Sequence, residues 1–264
     1  MRRHLSRLTA DRGTSHSLLF VMGLPLLDGV FPTLVVAGAL GSVVGVVQVG
    51  LLVFGGAATA ALLLSSTAGR RHDTRRVLRV AAVVVPVAAV EAAFAPPLTV
   101  LLDASTFRPF AGLVLLAVAA RVASAHVTRY LPAPGLFVLV GVVVSFNPAP
   151  VTLSPDVDAA LRGVAAALVG VTFALAVVAG ADRLRRLLDT GRFRFGSAVA
   201  LGTMGASVAG LVPTDSPLPL VALVLAALLS IDPLGERPTA AGTAGGDPDE
   251  TSTEESDTVS EQYP

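Results

Sequence analysis

Cysteine, lysine and tryptophan are absent from the 264 residues, and tyrosine occurs only twice. The first absence excludes disulfides, thiolate metal sites and cysteine nucleophiles outright. With so few Trp and Tyr, any aromatic belt at a membrane interface is weak or borne by the 11 Phe. Charge is scarce as well: ionised residues make up 14% of the chain against 53% hydrophobic residues. No HExxH, GxSxG, Walker loop or dinucleotide fingerprint occurs, and His4, His16, His72 and His126 contain no i, i+4 pair of the zinc-helix kind. The sequence therefore offers no enzyme reading, and no metal, cofactor or nucleic-acid partner is expected.

What the chain does have is long apolar runs. A mean hydropathy of +0.74 lies far above that of soluble domains and marks an integral membrane protein, an all-α polytopic bundle whose first partner is the lipid bilayer. The stretch from Ser17 to Ile231 accommodates eight helices of roughly 20 residues with short loops, seven being the alternative. Hydropathy places them near 17–40, 46–66, 77–95, 107–125, 135–149, 159–181, 195–212 and 218–231, the fifth and eighth being short for a full crossing. A basic N-terminus (1–16), a transmembrane domain (17–231, in halves 17–125 and 135–231) and a tail (232–264) follow from this reading. From Thr239 onward the tail is polar and acidic with few large apolar residues, a composition that predicts disorder.

Arginine supplies the orientation. All 19 basic residues are Arg. All but Arg108 and Arg162 fall at the N-terminus, in alternate connections around 70–79, 121–129 and 183–194, or in the tail at Arg237. The opposite connections hold Asp103, Asp156, Asp158 and Asp215. Arginine collects on the cytoplasmic side, so a multi-pass protein of the cell membrane with both termini in the cytoplasm is expected. A cleaved signal peptide is the competing reading of the first 40 residues, but no small-x-small cleavage site follows a short apolar core. The Arg loops could also hold anionic lipid headgroups.

The absence of lysine, paired with an acidic stretch from Gly235 onward, resembles proteins of extreme halophilic archaea, where acidic, lysine-poor compositions are common. The whole chain is similar to their multi-pass membrane families of unknown function. This is a likeness of composition, and what it implies is membership of an uncharacterised membrane family.

Two segments interrupt the apolar runs, about half the apolar length apart: LPLLDGVFP (Leu24 to Pro32) and SFNPAPVTLSP (Ser145 to Pro155). Pro25, Gly29 and Pro32 break the first, Pro148 and Pro150 the second. Paired breaks of this kind point to a midplane site in repeat-built transporters. LLFVMG (Leu18 to Gly23) matches GLFVLVG (Gly135 to Gly141) in pattern, and VGLLVFGGAA (Val49 to Ala58) is similar to VGVTFALAVV (Val169 to Val178). Four spans per half predict a parallel repeat; the alternative is that Ala, Val, Leu and Gly-rich helices simply look alike.

Asp28 is the sharpest candidate for ligand or ion binding. A carboxylate at that depth costs on the order of 2.5 to 3.5 kcal/mol, so it should face a polar cavity or a partner. The other reading is a helix cap beyond the proline break. Glu91 could pair with Arg108, or share a proton with Asp28, or snorkel to the outer interface. In the second half, Ser145 and Asn147 occupy the corresponding places, Asn147 also reading as a cap. Together these residues predict a small-solute or ion transporter, with a small solute or cation as ligand. The alternative is a non-catalytic scaffold that recruits partners through its tail or Arg loops.

Overall fold

The computed structural model describes residues 23–55, 70–124, 129–150, 154–187, 189–213 and 216–231. The basic N-terminus, Ser17–Met22, the latter half of the second expected span, His126, Asp215 and the tail lie outside the described residues. Apart from one isolated bridge between Leu102 and Phe146, the described residues are helical or in turns. After a helical stretch at 23–27 come α1 (Val30–Val36) and α2 (Val43–Gln48), which runs on as a π-helix (Val49–Gly55). Then follow α3 (Arg70–Thr99), α4 (Ala104–Ala123), α5 (Pro134–Ser145), α6 (Val157–Leu187), α7 (Thr190–Val208) and α8 (Leu218–Leu229).

Three of these are long and apolar enough to cross a membrane: Arg71–Thr99, Ala104–Ala123 and Val157–Leu184. Helices α5 and α8 have 12 residues each, about 18 Å of rise against a hydrocarbon core of about 30 Å. Large apolar side chains stand exposed along several helices. On α3, Val83, Val87, Val90, Phe94 and Leu98 form an exposed stripe at helical spacing, and α5 and α8 expose similar faces. Such faces are costly in water and suit contact with lipid chains.

Helix starts are set by short polar side chains. Ser42 caps α2 through the Gly45 N–H at 3.1 Å, Asp103 caps α4 through the Ser105 N–H at 3.2 Å, and Asp189 caps α7 through the Gly191 N–H at 2.8 Å. Asp156 accepts from the Ala159 N–H at 3.0 Å at the start of α6. Of the Asp residues expected in loops, Asp103 and Asp156 thus hold helix ends.

Prolines within α3 are accommodated by neighbours. Pro97 has no N–H to offer the Ala93 carbonyl, and the Asp156 N–H fills that place at 2.9 Å, tying the start of α6 to the end of α3. At the same end, the Asp103 N–H donates to the Ser145 carbonyl and the Asn147 N–H to the Leu101 carbonyl, both at 2.8 Å. Arg162 donates to the Leu40 carbonyl at 3.3 Å, bringing the turn between α1 and α2 to this end too.

Close helix contacts rest on missing side chains. A methyl added to Gly112 of α4 would lie 2.6 Å from the Gly205 carbonyl of α7. One added to Gly50 would lie 2.6 Å from the Ala166 carbonyl of α6. In lipid, where apolar side chains gain little by leaving their surroundings, such backbone approach is what joins helices. The ring centroids of the buried Phe31 and Phe54 lie 5.3 Å apart, packing α1 against the π-helix.

Helix pairing does not follow the expected repeat. Helix α3 packs along α6 and α4 along α7. The counterpart pairs under exchange of the halves, α7 with α2 and its π-helical extension and α8 with α3, meet slightly or not at all among the described residues.

Candidate functional site

The first interruption is a break in a helix. The Asp28 N–H still donates to the Leu24 carbonyl at 2.8 Å, but Gly29 turns left-handed at φ 72° and α1 starts in a new direction. Only glycine adopts that conformation without strain. Thr33 then donates both its N–H, at 3.2 Å, and its hydroxyl, at 2.6 Å, to the Gly29 carbonyl. Pro32 withholds the donor that the Asp28 carbonyl would otherwise receive.

The residue at the cap position is Gly29, and no side chain caps α1. The capping role expected as the alternative for Asp28 is therefore not the one it plays. The ion pairs given by the described residues are Asp73–Arg76 at 3.4 Å and Asp189–Arg192 at 3.5 Å, and Asp28 belongs to neither.

Asp28 instead lines a cavity of about 320 Å³ between the break, the π-helix, α4, α7 and α8. Its walls are apolar, formed by Leu115, Val118, Phe173, Phe193, Leu201 and Leu223 among others. Besides Asp28, three side chains bring polar atoms to it: Arg121, Arg194 and Ser197. Arg121, in the last turn of α4, donates through Nη2 to the carbonyls of Leu131 and Pro132 at 3.3 and 3.1 Å. Both acceptors are neutral, and its Nε is buried without a partner. Ser197 is 8% exposed, and its hydroxyl also lacks a partner. Arg194, one turn earlier on α7, is exposed.

The volume is at the lower end of the roughly 300 to 1,000 Å³ of ligand sites, and apolar walls with a few convergent polar groups are the usual makeup of such sites. Among the described residues, the cavity's charged lining is Asp28, the half-buried Arg121 and the exposed Arg194.

The remaining candidates are elsewhere. Glu91 is half-buried toward the C-terminal end of α3, with Oε2 buried and unpartnered. It makes no ion pair with Arg108 or Asp28 and lines neither of the cavities described here. Ser145 is 2% exposed and donates its hydroxyl to the Gly141 carbonyl at 2.6 Å, a bond within its own helix. Asn147 is exposed, beyond the end of α5.

Pro148 and Pro150 also follow the end of α5, so the second interruption is a connection between helices rather than a broken helix. The bond between Ser145 and Asp103 sits where α4 begins, whereas Asp28 sits where α4 ends. The four candidates therefore do not converge.

A second cavity, of about 260 Å³, lies toward that opposite end, lined by Gly38, Ser42, Gln48, Arg108, Met204 and Ser207 among others. Two of its polar side chains are engaged: Gln48 donates to the Ser216 carbonyl at 2.9 Å and Ser207 to the Thr203 carbonyl at 3.1 Å.

Sequence reasoning did not single out Arg121, Arg194 or Ser197, reading the arginines as markers of orientation or as lipid-headgroup contacts. The spacing of Arg194 and Ser197, i and i+3, was the available signal that both face one side of α7. No curated protein and no solved structure matches the chain. Residues 84–209, from the middle of α3 to just past α7 and so including Arg121, Arg194 and Ser197, match the model of DUF5794, a family of unknown function.

Proposed function

We propose that the chain is a multi-pass membrane protein that binds a small solute beside its broken first helix and carries it across the bilayer. In this reading the helices form eight spans, α5 and α8 completing theirs with flanking chain, and the Arg-rich end faces the cytoplasm together with both termini. No catalysis is assigned to it. The observation that carries the reading is the Asp28 carboxylate, spared from capping and set in an apolar-walled cavity at a backbone break. The cavity lies at the Arg-rich end, so this reading puts the acid at the mouth of a solute or ion pathway rather than at its midplane. The second cavity toward the opposite end supports a path approached from both sides.

Absence of cysteine makes the test clean. Thiols introduced as Val118→Cys and Leu223→Cys line the first cavity, and in sealed vesicles a transport path exposes them to small hydrophilic thiosulfonates added on either side. Reaction from one side only, or from neither, would sink the transport reading.

A further inference from the structure

We infer that the cavity selects a monoanion carrying a short apolar body, held by Arg121, Arg194 and the hydroxyl of Ser197. The assignment rests on the cavity being the solute site proposed above and adds the chemical class of the solute. It starts from what is left unsatisfied. Ser197 and Arg121 both line the cavity, and the Ser197 hydroxyl and the Arg121 Nε–H are buried without an acceptor. Both are donors, so the missing partner is an acceptor. A buried donor without its bond is costly, and acceptor oxygens of a ligand at these two positions would relieve both.

Charge gives the same sign. Arg121 spends its Nη2 bonds on carbonyls, which hold the guanidinium in place without neutralising it. Arg194 adds a second cation, and Asp28, the one acid lining the cavity, offsets one of the two. A bound monoanion would meet the half-buried Arg121 guanidinium, which has no carboxylate ion-pair partner among the described residues, whereas a cation would add like charge beside it. Guanidinium groups also suit carboxylate or phosphate oxygens in geometry. The body of the ligand follows from the walls: Leu115, Val118, Phe173 and Leu223 offer no polar atom, so beyond its head the ligand must be hydrocarbon or aromatic. A free amphipathic acid and the headgroup end of an anionic lipid share this chemistry.

The test uses the full chain in nanodiscs of phosphatidylcholine, with radiolabelled octanoate as probe. Wild type should bind it saturably, octyltrimethylammonium should fail to displace it, and Arg121→Gln/Arg194→Gln should weaken binding by at least about tenfold. Arg194→Gln alone, at an exposed position, and Ser197→Ala should each weaken it less, with helical content and elution volume unchanged. Arg129→Gln should leave binding unchanged.

In nanodiscs containing phosphatidylglycerol, native mass spectrometry separates the two sources. A phosphatidylglycerol retained by wild type, lost from the double variant and competing with octanoate identifies the lipid. Undiminished octanoate binding identifies the free acid. Equal octanoate binding by wild type and the double variant, displacement by the cationic analogue, or retention of neither anion overturns the assignment. Should thiols at 118 and 223 be reachable from both sides while neither anion is held, the transport reading stands and only the ligand class falls.

Discussion

Asp28 and Asp103 are both carboxylates at a helix start, yet only Asp103 serves as a cap. Asp103 accepts from the hydroxyls of Thr106, at 2.6 Å, and Ser105, at 2.8 Å, and from the Ser105 N–H. The Thr106 bond foremost, then those of Ser105, holds its carboxyl below the ordinary range, because each favours the charged form. A depressed folded pKa contributes stability that is complete above the unfolded value of about 3.9 and is lost as pH falls through the lower folded value. Unfolding measured from pH 7 to pH 3 should therefore show wild type losing more stability on acidification than Asp103→Asn, which keeps a capping oxygen. Parallel losses would show that the network does not matter. In sequence, a capping Asp28 and a cavity-lining Asp28 look alike. The difference lies in whether nearby N–H groups turn toward the side chain, and the left-handed Gly29 decides that. Arg121 and Arg194 were hidden for a related reason, since an arginine that marks orientation and one that lines a site have the same composition signature.

At the scale of the element, glycines with the same flanking composition differ in what they touch. A methyl at Gly112 would press on the Gly205 carbonyl and, at 2.5 Å, on the Ala209 side chain, whereas one at Gly202 would meet only Leu116, at 3.9 Å. Gly112→Ala should accordingly destabilise the protein by roughly 1 to 3 kcal/mol through overpacking. Gly202→Ala should be neutral or stabilising by up to about 1 kcal/mol, since alanine favours helix. Midpoints of unfolding in mixed micelles check the pair, and a common sign would refute the crossing described here. Apolar runs located α3, α4, α6 and α7, because long apolar stretches have no other way to satisfy their backbone in lipid. Their ends were less legible. Helix α3 starts at Arg70, seven residues before its hydropathy does, since arginines favour helix even where lipid stops. Asn147 and Pro148 look like a break but stand beyond Ser145, where α5 is already over.

The whole molecule has two ends that differ in charge. Arg129 stands exposed in the connection after α4, and Asp158 stands exposed at the start of α6. With the Arg-rich end in the cytoplasm, Asp158→Cys should react with an impermeant maleimide in right-side-out vesicles, and Arg129→Cys only after permeabilisation. The reverse pattern would invert the proposed orientation. The repeat was not legible in a reliable way, because similar apolar strings say nothing of which helix meets which. Leu201 and Met204 lie three residues apart on α7, about 4.5 Å of rise, yet one borders the hollow at the Arg-rich end and the other the hollow toward the far end. In that place the linings of the two hollows come within about one turn of helix of each other. On the far side the lining includes the unbranched, easily rotated Met204, so under the proposed transport reading a change in one side chain's pose would alter how far the two hollows stand apart.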